Sequence, residues 1–310
     1  MNKKNLIIGS GVLAAYLSQE LLKNKEKIVV TSRSIKKNYK NFQYLQIQNK
    51  IKFENLNVKN KDEIEKIYKK HKPSKIYYFA GQSSLTKSAV MKKETIDSHY
   101  TGTKNFLEIL RKNKSDCKFF KANSGYIFKP KNGRIDLNSK FSKNNNFYIK
   151  AQQKSYKIIN KYRSYNLNLF NLVFLQVESP LRANDYFIKK VCLGAKFKKK
   201  IKVGNIKTQR DYSWVTEVVK AIILTSSLRS NNFIISAGKK FSGEEILKTA
   251  YMLNKLNYKK YFEVNKKFIR RNETETLIGS NRNNKYLKKS FNFEFKTFKN
   301  ELIKRIYKKL

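Results

Sequence analysis

The chain has 310 residues and carries 69 Lys and Arg against 22 Asp and Glu, a formal net charge of +47. Hydrophobic residues at 40% and aromatics at 13% allow a real core, which excludes wholesale disorder. Two cysteines, Cys117 and Cys192, give neither a disulfide framework nor a metal spacing, and no apolar run reaches membrane-spanning length.

Short apolar runs alternate with stretches of helical periodicity. In chain order, 6–8, 28–30, 76–79, 119–120 and 169–175 read as buried parallel strands, with amphipathic helices over 14–22, 61–70, 102–112 and 151–162 between them. Phe233-Ile234-Ile235 reads as a late strand returning to the same sheet. The βαβ rhythm predicts an α/β fold with a doubly wound parallel sheet. No Pro-rich or Gly/Ser-rich linker marks a boundary. The expected division is 1–175 plus 203–238 for the sheet domain and 176–202 plus 239–310 for a smaller lobe, mostly C-terminal, that binds substrate. Ligands in such folds sit in the crevice at the strand ends.

Gly9-Ser10-Gly11-Val12-Leu13-Ala14 follows the first strand and opens the first helix. It fits the dinucleotide-binding pattern of a Rossmann sheet. Gly9 allows a tight turn, Gly11 lets backbone amides approach a pyrophosphate, and Ala14 allows close helix–sheet packing. The second strand ends Val30-Thr31-Ser32-Arg33-Ser34 without the acidic residue that would bind an NAD ribose. Arg33 suits a 2′-phosphate instead, so NADP is expected over NAD.

The lysines recur in helices, loops and both ends rather than in one block. The charge therefore reads as composition spread over solvated faces, attractive to an anionic substrate but without a specific nucleic-acid partner. The opening Met1-Asn2-Lys3-Lys4 and its short apolar run do not make a signal peptide. A cytoplasmic protein without membrane attachment is expected.

From Phe79-Ala80-Gly81-Gln82-Ser83 onward the chain resembles the GDP-mannose 4,6-dehydratases, extended short-chain dehydrogenase/reductases with a similar Leu-Ala-Ala-Gln-Ser strand end. The likeness runs through Ser88, Asp97, Gly102-Thr103 and Leu107-Glu108. It resumes at Glu178-Ser179-Pro180 with Arg182, then at Gly204-Asn205 and Arg210-Asp211, and ends at Glu273 and Glu275-Thr276-Leu277-Ile278-Gly279. The resemblance implies that Asn55, Leu56, Phe79 to Ser83 and Arg182 contact the cofactor. It implies that Ser88, Glu178, Arg210, Arg270 and Glu273 lie near a nucleotide-sugar. It also implies a homo-oligomer and no metal. Arg182 and Arg210 are fork-shaped donors that suit a diphosphate in any case.

The family reaction is an internal redox cycle. Hydride leaves C4 of the hexose, water is lost across C5 and C6, and the hydride returns to C6. It needs a Tyr base activated by a Lys one helical turn onward, a hydroxyl that polarises O4, and a carboxylate at C5. By the resemblance, Ser124 is that hydroxyl and Tyr148 that base. Tyr126 stands where the family has its Glu, Gln152 where it has its Lys, Val177 for a His and Glu94 for a Tyr. Gln152 carries no charge to activate a phenol that ordinarily titrates near 10. Lys150 and Lys154 sit about 200° and 240° around the helix from Tyr148, so neither points at it. Weakened or altered chemistry is therefore expected, with Lys121 or a neighbouring subunit as the fallback source of a base. A nucleotide-sugar reductase or epimerase and a catalytically impaired binding homologue are the alternatives. His71, in a Lys-rich helix end, reads as solvated, and His99 reads as structural.

Scattered charge predicts only weak retention on DNA, falling steeply with salt and lost near physiological ionic strength. Sequence-selective binding that survives such salt in a mobility-shift titration would contradict it.

Overall fold

The computed structural model describes residues 4–34, 39–269 and 273–310. The chain divides into two compact units. Unit 1 comprises Met1–Lys129, Lys140–Phe174 and Val219–Phe233; unit 2 comprises Pro130–Ser139, Leu175–Val218 and Ile234–Leu310.

Unit 1 is built on β1 (Lys4–Ile8), β2 (Lys27–Ser32), β3 (Lys52–Asn55), β4 (Lys75–Tyr78), β5 (Lys118–Ser124) and β7 (Leu169–Phe174). With β11 (Asn232–Ile235), whose residues fall in both units, they form a seven-stranded sheet in the order β11-β7-β5-β4-β1-β2-β3. Strand β1 pairs in parallel with both β2 and β4, so the order reverses between β1 and β4. The helices are α1 (Val12–Lys23), α2 (Lys40–Tyr44), α3 (Lys61–His71), α4 (Lys87–Val90), α5 (Lys92–Ile96), α6 (Gly102–Lys112) and α7 (Phe147–Tyr162). A π-turn over Asp97–Thr101 leads into α6.

Local chemistry explains these elements. All six residues of β7 are buried, as a strand covered on both faces requires. The Asn60 side chain accepts from the amides of Asp62 and Glu63 and starts α3, with acids in the first turn and bases in the last, matching the helix dipole. One sheet face packs Leu6, Ile8, Ile76 and Phe119 under Ile64 and Ile67 of α3, Phe106 and Leu107 of α6, and Ile159 of α7. On the other face Tyr77, Phe120, Phe170 and Phe233 stack across four strands, with ring centres 4.8, 4.4 and 6.3 Å apart in turn.

Unit 2 holds β6 (Arg134–Ile135), β8 (Gln176–Glu178), β9 (Ile201–Val203), β10 (Gln209–Trp214), β12 (Lys240–Ser242), β13 (Phe262–Val264) and β14 (Thr276–Gly279). Its helices are α8 (Phe187–Lys196), α10 (Gly243–Met252), α11 (Arg282–Phe291) and α12 (Lys299–Lys308), while α9 (Val215–Thr225) has residues in both units. The strand order is β12-β10-β14-β6, with β8 also on β10, and β9 pairs with β13. Ile188, Val191, Trp214, Phe241, Leu247, Leu302 and Ile306 form its core.

Several expectations shift. Residues 130–139, 175, 203–218 and 234–238, expected with the first unit, fall in the second, where β10 pairs with β8, β12 and β14, and β6 pairs with β14. Strand β3 carries no apolar run and escaped notice; it is an edge strand that needs only β2. Helix α7 starts at Phe147 rather than 151, since the Asn146 side chain caps it through the Tyr148 amide. His71 is not solvated. It is 6% exposed, with Nε2 2.7 Å from Glu54 Oε1 on the unforeseen β3.

The aromatic stack gives a stability prediction. Phe120 is fully buried between Tyr77 and Phe170, so Phe120→Ala should cost about 3–5 kcal/mol. A guanidinium midpoint unchanged from wild type would contradict it.

Candidate functional site

The turn after β1 is shaped by contact with β4. Gly9 has φ +100°, and a Cβ there would stand 2.9 Å from the Ala80 nitrogen. Its own amide donates to the Thr31 carbonyl at 2.9 Å, closing the turn against β2. Helix α1 begins directly afterwards, with Gly11 at its cap position and no side chain satisfying its first amides. The space beside Gly11 is open, and Ala14 is fully buried. This turn can take a pyrophosphate on the free first-turn amides.

Around it lie other strand ends. Arg33 is exposed just past β2, and Asn55, also exposed, is the register partner of Ser32. The Leu56 side chain is 2% exposed and packs into the core, leaving only its backbone for a ligand. Past β4, Phe79 and Ala80 are half-buried and Gly81 and Ser83 exposed. The Gln82 side chain folds back on the Ser84 backbone. Gly81 has φ +144°, and the His99 ring occupies the place of its missing side chain, Cε1 lying 2.1 Å from where a Cβ would be.

The residues expected to do chemistry lie at the β5 end and the α7 start. Ser124 is 7% exposed, and its Oγ accepts from the Tyr126 amide at 3.3 Å. Tyr126 is half-buried in the turn that follows. Tyr148, 8% exposed, lies in the first turn of α7, edge-on to the His99 ring at 5.4 Å. Gln152, one turn on, is buried and its Oε1 has no hydrogen-bond partner. Ser88 is buried, donating to the Leu85 carbonyl at 2.6 Å with its Oγ 3.1 Å from Asn146 Oδ1; its hydroxyl braces the cap of α7.

Two further side chains belong to this cluster. His99 Nε2 lies 2.8 Å from the Gln82 carbonyl, which only accepts, so Nε2 bears the proton. Burial, reinforced by the Lys121 charge and opposed by that carbonyl, pulls His99 down to about 3, so it is neutral. Lys121 is 1% exposed in the middle of β5, and burial pulls it down to about 7. The signal for Lys121 was a lysine flanked by Phe119-Phe120 and Ala122 inside an apolar strand. Its meaning depended on which face of the strand was covered.

In unit 2, Arg210 and Glu273 are brought together. Arg210 is 6% exposed, with Nη2 3.1 Å from Glu273 Oε1 and Nη1 donating to the carbonyls of Gln209 and Glu275. The Arg182 guanidinium lies 3.5 Å from the Tyr186 ring centre. Glu178 is 2% exposed on β8, and burial, partly offset by Arg182, pushes its carboxyl up to about 7. Arg270 lies outside the described residues. Among the described residues no group of His, Cys, Asp and Glu is arranged to hold a metal ion, and no helix is long and apolar enough to cross a membrane.

The profile of the family described as GDP-mannose 4,6 dehydratase matches residues 6–306. GDP-mannose 4,6 dehydratase 1 of Arabidopsis thaliana is 23% identical over 218 residues, 67% of this chain and 60% of that protein, so the match spans less than two thirds of the relative. A dTDP-glucose 4,6-dehydratase from Bacillus anthracis, solved with NAD, superimposes with a TM-score of 0.84 at 17% identity, covering 99% of this chain and 96% of that one. A UDP-glucose 4-epimerase from Thermotoga maritima, solved with UDP-glucose, gives 0.82 at 16% identity, covering 99% and 98%.

The buried Glu178 generates a pH prediction. Its folded value, about 7, lies above the ordinary Glu value near 4.3. The folded state thus holds a proton that the unfolded chain releases, and the stabilisation present below about pH 4.3 is lost as pH rises through about 7. Glu178→Gln should therefore gain on wild type between pH 5 and 8, by about 1–3 kcal/mol. Thermal melts in which the two proteins keep a constant separation across that range would refute it.

Proposed function

The chain belongs to the GDP-mannose 4,6-dehydratase family, and from that membership we propose that it is a nicotinamide-dinucleotide-dependent enzyme acting on a nucleotide-sugar. The finer reading is dehydration of GDP-mannose to its 4-keto-6-deoxy form with NADP. The observation that carries the cofactor half is the uncapped first turn of α1 beside Gly9 and Gly11. Those amides would hold the pyrophosphate, Arg33 the 2′-phosphate, Asn55 and the Leu56 backbone the adenosine side, and Phe79 to Ser83 the other half. Arg182 is read as a further phosphate contact. When bound, the nicotinamide supplies a hydride acceptor and donor. NAD remains the lesser choice, because no acidic residue follows β2.

The chain's own residues would do the proton work. Ser124 Oγ donates a hydrogen bond to the sugar O4, and Tyr148 Oη takes the O4 proton as hydride departs. The Gln152 amide supplies hydrogen bonds to a ribose but no charge. Tyr126 handles a proton near C5, where a carboxylate would be the stronger base. Arg210, held by Glu273, is read as the contact to the nucleotide-sugar, with Ser88 and Glu178 as supports. Arg270 keeps its proposed place near the same ligand.

A second reading is favoured by Gln152 and Tyr126: a homologue that binds both ligands and turns over slowly or not at all. Loss of a base and its activator costs about 10²–10⁴-fold or more. Incubation with NADP⁺ and GDP-mannose, followed by product analysis, separates the two. A 4-keto-6-deoxy sugar supports the first, and tight binding of both ligands without product supports the second. On the cofactor, Arg33→Ala should weaken NADPH by about 1.5–3 kcal/mol more than NADH. Equal losses for both in fluorescence titrations would remove the preference for NADP.

A further inference from the structure

Unit 1 buries a positive charge that the reading above does not use. Lys121 sits in the middle of β5, 1% exposed, and no carboxylate among the described residues pairs with it. Its ammonium donates to the Ala122 carbonyl at 2.5 Å and lies 5.2 Å from the Tyr78 ring centre. A lysine buried without a counter-ion costs stability and needs a reason.

The strand's alternation gives one. Lys121 shares a face of β5 with Phe119 and Asn123. Phe119 packs in the cluster that holds Ile159 of α7, and Asn123 donates to Asn171, whose side chain in turn reaches the Tyr156 carbonyl of α7. The ammonium therefore points to the side of the sheet that α7 covers. Helix α7 carries Tyr148 in its first turn and Gln152 one turn on, both buried. His99 feels the Lys121 charge and meets the Tyr148 ring edge-on at 5.4 Å.

We infer that Lys121 is the positioning residue that supplies, from β5, the positive charge that Gln152 cannot supply from α7, and that it favours the phenolate of Tyr148. This rests on the reading of Tyr148 as the proton acceptor. The charge comes from beneath the helix instead of along it, so the Tyr–Lys spacing in sequence is lost while the electrostatic pairing is kept. The ionisable groups that meet Lys121 are Tyr78 on β4 and His99 in the π-turn, and α7, which covers this side of the sheet, carries the buried Tyr148 and Tyr156. Burial raises Tyr78 and Tyr156 and holds His99 well below neutrality, whereas it brings Lys121 down to about 7.

The experiment is a pH titration of ring-labelled tyrosine by NMR in the full chain without added ligands, with Tyr148 assigned through Tyr148→Phe. The Tyr148 signal should move in a step near pH 7, and Lys121→Met should abolish that step. In the exchange variant, Lys121→Gln with Gln152→Lys, the step near pH 7 should be gone, while single-turnover hydride transfer recovers at least about tenfold over Lys121→Gln alone. A Tyr148 signal that stays flat through neutrality in the unaltered protein overturns the inference without any variant. A folded Lys121→Met protein that keeps the step overturns it equally. The NMR readout needs neither sugar nor cofactor, so failure to turn over a nucleotide-sugar would count against the proposed function and leave this result standing.

Discussion

The arrangement of unit 1 follows from one constraint: the sheet order reverses between β1 and β4. Right-handed crossovers then carry the chain from these two neighbouring strands to opposite faces of the sheet. The core cluster agrees, since α3, α6 and α7 share one face and α1 contributes nothing to it. The ends of β1 and β4 are left side by side with no helix between them. Their backbones meet so closely that Gly9 has no room for a side chain beside Ala80.

Electrostatics divides the molecule in a second way. Most of the +47 charge costs little, because the lysines are solvated and the ion pairs they make lie largely at the surface. The interior is different. Lys121 in unit 1 and Glu178 in unit 2 are each almost wholly buried, and burial drives each toward its neutral form. Buried Asp211 in unit 2 is likewise pushed up to about 6, so the pH behaviour of the fold concentrates in a few desolvated groups.

The departures from the family pattern look different once packing is known. Read as a string, the loss of a lysine at 152 and of a carboxylate at 126 amounts to two missing parts. In three dimensions a buried ammonium stands on the neighbouring strand, on the face that the tyrosine's helix covers. His99 fills the space that Gly81 leaves open and ties the β4 end to the Tyr148 ring. This agrees with a structural histidine, which links the Gln82 carbonyl past β4 to the Tyr148 ring of α7.

The sequence alone determined whatever depends on neighbours along the chain. The Gly9-Ser10-Gly11 turn, the continuous apolar strands and the amphipathic helices are local patterns with local causes, and they were legible with the fold class and the family. Tertiary structure decided the rest. The short strands of unit 2 have two to six residues and little alternation, so pairing partners rather than propensity define them, and 130–139 and 203–218 moved accordingly. His71 acquired a partner because β3, nearly invisible as a pattern, brings Glu54 against the end of α3. Ser88 became a brace for a helix cap 58 residues away. Lys121 became a buried charge because a helix covers its face of β5. Burial and charge pairing are properties of the space around a side chain, and that space is filled by residues that the linear order does not bring near.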